Sequence, residues 1–272
     1  MRIAVVGLGL IGGSIALAAR ERLGAEVRGW DLNPASASRA RSLGVVDSAT
    51  RSIEEALEGS EAAFVAAPVD VLPELVGAVL ARASGDCLVT DVGSTKRSVV
   101  GAIDDSRFVG GHPLAGAELS GVEHARADLF AGATWYLTPG SSTAPATVRG
   151  VAQLVTELGA TAKQLDAEVH DRLMAAVSHL PHVFANVLLS HALESGVTDA
   201  TGPSFRDATR VAGANPALWS AIFEENRDEL IAAINDAIER LEDFRDRLRR
   251  QDRAAVRQWC EEAADNHRRL GR

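Results

Sequence analysis

The segment Gly110-Gly111-His112-Pro113-Leu114-Ala115-Gly116 follows the strand-like run Phe108-Val109, which sets His112 at a strand end lined with glycine. A histidine fixed there by the following proline suits proton transfer, because its unperturbed pKa lies near neutrality. Asp91-Val92-Gly93-Ser94-Thr95-Lys96 closes another strand-like run at the carboxyl edge where open sheets place ligands. A Ser94 hydroxyl there can reach a substrate hydroxyl; equally, Ser94 or Thr95 can cap a helix and Asp91 can form a turn. In Ser178-His179-Leu180-Pro181-His182, the two histidines share a helical face and can bind metal, hydrogen-bond a substrate or cap a kink at Pro181. No acidic or cysteine ligand recurs near them at a familiar metal spacing, so no metal is expected. Further on, Arg210 in Phe205-Arg206-Asp207-Ala208-Thr209-Arg210 offers a planar fork for a carboxylate or an ion pair with Asp207, and Trp219 reads by default as core.

The frame for these groups begins at the N-terminus. Ile3-Ala4-Val5-Val6 runs into Gly7-Leu8-Gly9-Leu10-Ile11-Gly12, and an apolar stretch, Ile15 to Ala19, follows: a strand, a glycine turn and a helix. In this fingerprint the first glycine makes the tight turn, the second lets the backbone approach a pyrophosphate and the third packs helix on strand. Gly7, Gly9, Leu10, Ile11 and Gly12 are therefore the expected cofactor-binding turn, and a dinucleotide is the expected ligand. The next strand-like run, Glu26 to Trp30, ends in Asp31, nineteen residues after Gly12, where an acid can hydrogen-bond both hydroxyls of an adenosine ribose. The competing description is a surface turn with Asp31 capping the helix at Asn33-Pro34. A carboxylate at Asp31 repels a ribose phosphate and favours NAD over NADP, while Arg28, Arg39 and Arg41 lie close in sequence and pull the other way.

Strand-like and helical patterns then alternate through Ala62–Ala66, Leu72–Ala83, Cys87–Val92, Arg97–Ile103, Phe108–Gly111, Thr134–Leu137, Ala144–Leu158 and Thr161–Leu165, the alternation of a parallel, doubly wound α/β sheet. From Asp166 few strand signals remain, and Pro181, Pro203 and Pro216 punctuate helical patterns. Two domains are expected: a Rossmann-type dinucleotide domain over 1–164 and an all-helical domain over 165–272. Ile222, Leu230, Ile234, Ile238 and Leu241 recur at helical spacing in the run Trp219 to Arg249, a face that can bury within the domain or against a second subunit. A net charge of −9 argues against a general nucleic-acid or anionic-membrane surface, so any anion site must be local. Two cysteines far apart, Cys87 and Cys260, suggest packed, reduced thiols rather than a disulfide framework. No signal peptide or apolar run of spanning length is apparent, and a cytoplasmic protein is expected.

The ordered motifs GLGLIGGS, DVGSTK, GGHPLAG, SHLPH and FRDATRVAGANPALW resemble those of the prephenate and arogenate dehydrogenases of tyrosine biosynthesis, from the first strand to about residue 250. The resemblance implies a Rossmann domain joined to a helical dimerisation domain, a homodimer, and NAD-dependent oxidative decarboxylation of prephenate to 4-hydroxyphenylpyruvate. Carried over by motif, His112 accepts the proton of the ring hydroxyl as hydride leaves, and Ser94 holds the same hydroxyl in register. Arg210 binds a substrate carboxylate with Asp207 steering it, His182 and Trp219 contact the side-chain end, and His179 supports the pocket. Glu118 falls beside the substrate entrance, where it gates access or reads an amino group, or is an exposed loop acid. A chain starting its Rossmann strand at residue 3 and ending at Arg272 is expected to be monofunctional and without a regulatory module. Arogenate and aminodeoxy analogues are the alternative substrates within the family. Outside it stand a hydroxy-acid dehydrogenase, which would need a lysine base that the chain lacks after Lys163, and an NAD-sensing regulator.

Overall fold

The computed structural model describes residues 1–116, 119–196 and 202–270. Strands β1 (Arg2–Val6), β2 (Glu26–Trp30), β3 (Ser48–Ala49), β4 (Ala62–Val65), β5 (Leu88–Asp91), β6 (Phe108–Pro113), β7 (Thr134–Thr138) and β8 (Thr161–Gln164) form one sheet in the order β3-β2-β1-β4-β5-β6-β7-β8. Helices α1 (Leu10–Leu23), α2 (Pro34–Ser42), α3 (Ile53–Leu57), α4 (Leu72–Leu80), α5 (Arg97–Ala102) and α6 (Pro145–Glu157) connect them. Successive side chains of a strand point to opposite faces, so an apolar run such as Ile3–Val6 needs cover on both. Ile3 and Val5 join Phe64, Ile15, Trp135 and Leu154 in one core, whereas Ala4 and Val6 join Val65, Leu72, Val76 and Val99 in the other.

The sheet departs from all-parallel at one place. β7 runs antiparallel to β6, with Gly110 opposite Thr138 and Pro113 opposite Trp135. Among the described residues, only a short 3-10 turn at Val122–His124 lies between these strands, so the chain re-enters from the edge where β6 ended instead of crossing over on a helix. β3 is an addition of two residues that the sequence pattern does not announce.

Beyond the sheet come α7 (Ala167–Met174), a π-helical turn at Ala175–His179, α8 (Leu180–Glu194), α9 (Pro203–Thr209), a 3-10 turn at Arg210–Gly213 and α10 (Pro216–Glu225). The first three form one continuous helix. Pro181 therefore does not break the chain into two helices: the carbonyl that its ring would meet four residues back, that of Val177, lies in the wider π turn. This helix of 28 residues, with a mean hydropathy of 1.4 in its most apolar window, is long and apolar enough to cross a membrane by length and composition, which corrects the expectation of no such segment. Its His170, Asp171 and His179 are buried and hydrogen-bonded to other parts of the fold, and it was missed because these polar residues break up the apolar run.

Met1–Arg227 forms one compact unit and Asp228–Arg272 a second. The run Trp219–Arg249, read from sequence as one helical stretch, is two helices, α10 and α11 (Arg227–Arg249), separated at Asn226. The second unit consists of α11 and α12 (Arg253–Leu270), held by a Phe244–Trp259 ring contact with centroids 4.5 Å apart. Ile238 and Leu241 of its apolar face are exposed.

Candidate active site

β5 and β6 end side by side, and one carboxylate joins them. Asp91, fully buried at the end of β5, accepts hydrogen bonds from the amide of Gly93 (2.8 Å) and from the amide of Gly111 in β6 (3.1 Å), and it pairs with the buried Lys96 ammonium. The turn-forming role read for Asp91 is thus real, with a second role in anchoring the residue before His112. A side chain at Gly111 would put its Cβ 2.5 Å from the Asp91 carbonyl oxygen, so only glycine permits this approach. Ser94 lies half-buried on the intervening loop; α5 begins at Arg97, after Lys96, with no side-chain cap, so neither Ser94 nor Thr95 caps it.

The cap comes from elsewhere. The Asp171 carboxylate in α7 accepts from the backbone amides of Lys96 (2.8 Å) and Arg97 (2.9 Å), and its Oδ1 also lies 2.8 Å from His170 Nδ1. His170 Nε2 in turn lies 2.8 Å from His112 Nδ1. A continuous chain, Asp171 to His170 to His112, therefore runs from a helix start to the candidate base. Burial raises the Asp171 pKa, but the His170 hydrogen bond and the amides of Arg97 and Lys96 outweigh it and hold the carboxyl below its usual range. Burial, chiefly, and the buried Lys96 ammonium nearby hold His112 well below the ordinary histidine value. His112 is an uncharged imidazole at neutral pH, as a proton acceptor must be.

A second arm leaves the same helix. Asn226 donates to the Asp171 carbonyl (2.8 Å) and lies 3.1 Å from His179 Nδ1. Burial carries His179 down to about 4 against the opposing pull of Asp171. His179 meets the Trp219 ring edge-on at 6.1 Å, and His182 stacks on Trp219 with centroids 3.3 Å apart. Trp219 is half-buried, a shared wall for both histidines instead of a simple core residue. Burial and the charge of Arg210 lower the His182 pKa, which sets the exposed Arg210 close enough to be felt there. Asp207 is exposed on α9. Glu118 lies outside the described residues. Among the described residues, no group of three or more His, Cys, Asp or Glu is arranged to hold a metal.

The cofactor turn opens the first crossover, at the carboxyl end of β1. Gly7 has φ +97° and would place a Cβ 2.1 Å from the Ala66 carbonyl oxygen, and a Cβ on Gly12 would fall 1.9 Å from the Gly7 oxygen. A Cβ on Gly9 would meet nothing within 4 Å, and α1 starts there with no side-chain cap, leaving its first amides open to an anion. Asp31 accepts from the amides of Leu8 (2.7 Å) and Asn33 (2.8 Å), and it lines a cleft of about 330 Å³ with Leu8, Gly9, Asn33 and Arg39. Asn33, not Asp31, caps α2 through its own side chain. Leu10 and Ile11 open α1 directly behind the turn. These residues could hold a dinucleotide.

Residues 15–164 match the family model of the prephenate dehydrogenase nucleotide-binding domain, and 166–262 match that of the prephenate dehydrogenase dimerisation domain. The chain belongs to the prephenate dehydrogenase family. It is 33% identical to the prephenate dehydrogenase of Bacillus subtilis, across 97% of this chain and 74% of that protein. The solved prephenate dehydrogenase of A. aeolicus, in complex with hydroxyphenyl propionate and NAD+, superposes with a TM-score of 0.91 at 29% identity, covering 99% and 98% of the two chains. Synechocystis arogenate dehydrogenase gives 0.86 at 26% identity, covering 99% and 100%. Sequence reading missed three residues that the structure links to His112 and His179: His170, Asp171 and Asn226. The one local signal was the adjacent His-Asp pair on the inward face of an amphipathic helix.

Proposed function

We propose that the chain is an NAD-dependent prephenate dehydrogenase. The observation that carries this reading is His112 at the end of β6, tied through His170 to Asp171 and set beside the carboxyl end of β5 by the Gly111–Asp91 hydrogen bond. The bound cofactor supplies the hydride acceptor. His112 takes the proton of the substrate's ring hydroxyl as the C–H hydride departs and the C=O forms. Loss of the ring carboxylate as carbon dioxide sends its electron pair into the ring, and the resulting phenolate oxygen takes the proton back from His112. Ser94 orients the hydroxyl. Arg210, with Asp207, holds the side-chain carboxylate against Trp219 and His182, away from the ring carboxylate that must lose its charge.

Asp31 supports NAD over NADP, although Arg39 lines the same cleft. We assign residues 1–164 to nucleotide binding and 165–272 to substrate binding and homodimer formation, with exposed Val177, Val187, Leu188 and Leu193 as the apolar surface available to a second copy. Unpaired Cys87, buried with its thiol pushed up to about 11, and unpaired Cys260, exposed and not packed as expected, fit a reducing cytoplasm. Arogenate is the second reading, favoured by the likeness to the Synechocystis enzyme, and Glu118 would be the residue to read its amino group. Initial rates of NAD and NADP reduction with prephenate and with arogenate, beside His112→Asn, test the assignment. Prephenate-dependent NAD reduction that the variant loses supports it; turnover with arogenate alone transfers the assignment to that substrate, and turnover with neither overturns it.

A further inference from the structure

We propose that His170 and Asp171 are positioning residues that hold His112 as the tautomer carrying hydrogen on Nδ1, so that its Nε2 lone pair faces the substrate hydroxyl. The inference rests on the reading of His112 as the base and adds to it which ring nitrogen does the work and what selects it. An ionised carboxylate only accepts hydrogen bonds, so the ring nitrogen facing Asp171 Oδ1 must carry hydrogen, and His170 is protonated on Nδ1. A neutral His170 then presents a bare Nε2. The contact of 2.8 Å to His112 is a hydrogen bond only if His112 Nδ1 donates. Nε2 is left as the acceptor.

Each link is fixed independently. Asp171 cannot turn without abandoning the amides of Lys96 and Arg97, and its own carbonyl is held by Asn226. His170 is fully buried, with the Tyr136 ring edge-on at 5.7 Å. When His112 takes up the substrate proton, its Nδ1–H remains donated to His170 with the Asp171 carboxylate behind, which stabilises the transient imidazolium without moving a heavy atom. The groups facing the pair are Asp171 on α7, Lys96 and Asp91 from the β5–α5 loop, His179 on the same long helix and Tyr136 on β7.

Two substitutions separate this role from packing. Asn at 170 puts its amide where Nδ1 was and keeps a partner for Asp171, but leaves His112 Nδ1 without an acceptor. Gln at 170 puts an amide oxygen where Nε2 was. We expect His170→Asn to lower kcat about 10- to 100-fold with KM changed less than about threefold, whereas His170→Gln recovers most of the loss. Nitrogen-15 spectra of the histidine rings in the full-length protein without substrate, assigned with His112→Asn, should show His112 protonated on Nδ1 in the wild type. Wild-type His112 protonated on Nε2, or a folded His170→Asn with unchanged kcat, overturns the proposal. If His170→Asn does not fold, the wild-type spectrum still decides. Nδ1 protonation without turnover of prephenate or arogenate supports the relay and overturns the substrate assignment instead.

Discussion

Arg210 is exposed, and its charge reaches His182. Arg210→Ala should raise KM for prephenate by roughly thirtyfold, about 2 kcal/mol, with little change in kcat. This is the low end for a severed charge pair, because an exposed guanidinium keeps part of its hydration. A KM within twofold of wild type, on an order-of-magnitude reading, would remove Arg210 from the carboxylate site. Asp31 makes a second residue-scale prediction: Asp31→Ser should raise KM for NAD and lower that for NADP, with Arg39 now unopposed, and steady-state rates with both cofactors measure it. His179 carries a pH signature. Burial holds it near 4 against an ordinary 6.5, so between those values the unfolded chain binds a proton that the folded chain does not. Unfolding free energy therefore rises with pH across that window, and His179 alone costs up to about 3 kcal/mol on full acidification. Urea midpoints at several pH values should show the slope, reduced in His179→Asn.

At the scale of elements, α5 starts with no cap of its own and borrows the Asp171 carboxylate from α7. Asp171→Ala would orphan two amides and a histidine nitrogen, and should destabilise the fold by about 1–3 kcal/mol in urea melts, more than Asp207→Ala on exposed α9. The strands around the site were legible because β-branched runs ended at glycine or a carboxylate, and both lie at sheet edges where ligands bind. His112, Ser94 and the glycine turn were therefore proposed from local pattern. His170 and Asp171 were not, because their partners His112 and Lys96 lie 58 and 75 residues away, and nothing within one helix marks such a contact. Asn226 escaped for the opposite reason. Helical periodicity runs straight through it, and only its buried bonds to Asp171 and His179 explain why α10 stops there.

For the whole molecule, exposed Val177, Val187, Leu188 and Leu193 on one long helix predict self-association. Sedimentation at micromolar concentration should give a dimer, and Leu188→Asp should shift it toward monomer; a wild-type monomer would refute the assignment. The alternation of elements foretold the nucleotide-binding half, but the reversal of β7 was hidden, since direction depends on where a connection runs and not on the strand's own residues. The Asp171 link bears on how such a protein can be recombined. The two family models meet between residues 164 and 166, yet the partners of the base sit at 170 and 171. A fragment cut at that seam would retain the glycine turn and Asp31 while its His112 lost the neighbour that orients it. Chimaeras within the family should accordingly keep residues 167–179 with the sheet from which His112 comes, because the unit of inheritance for the chemistry is larger than the unit that binds the nucleotide.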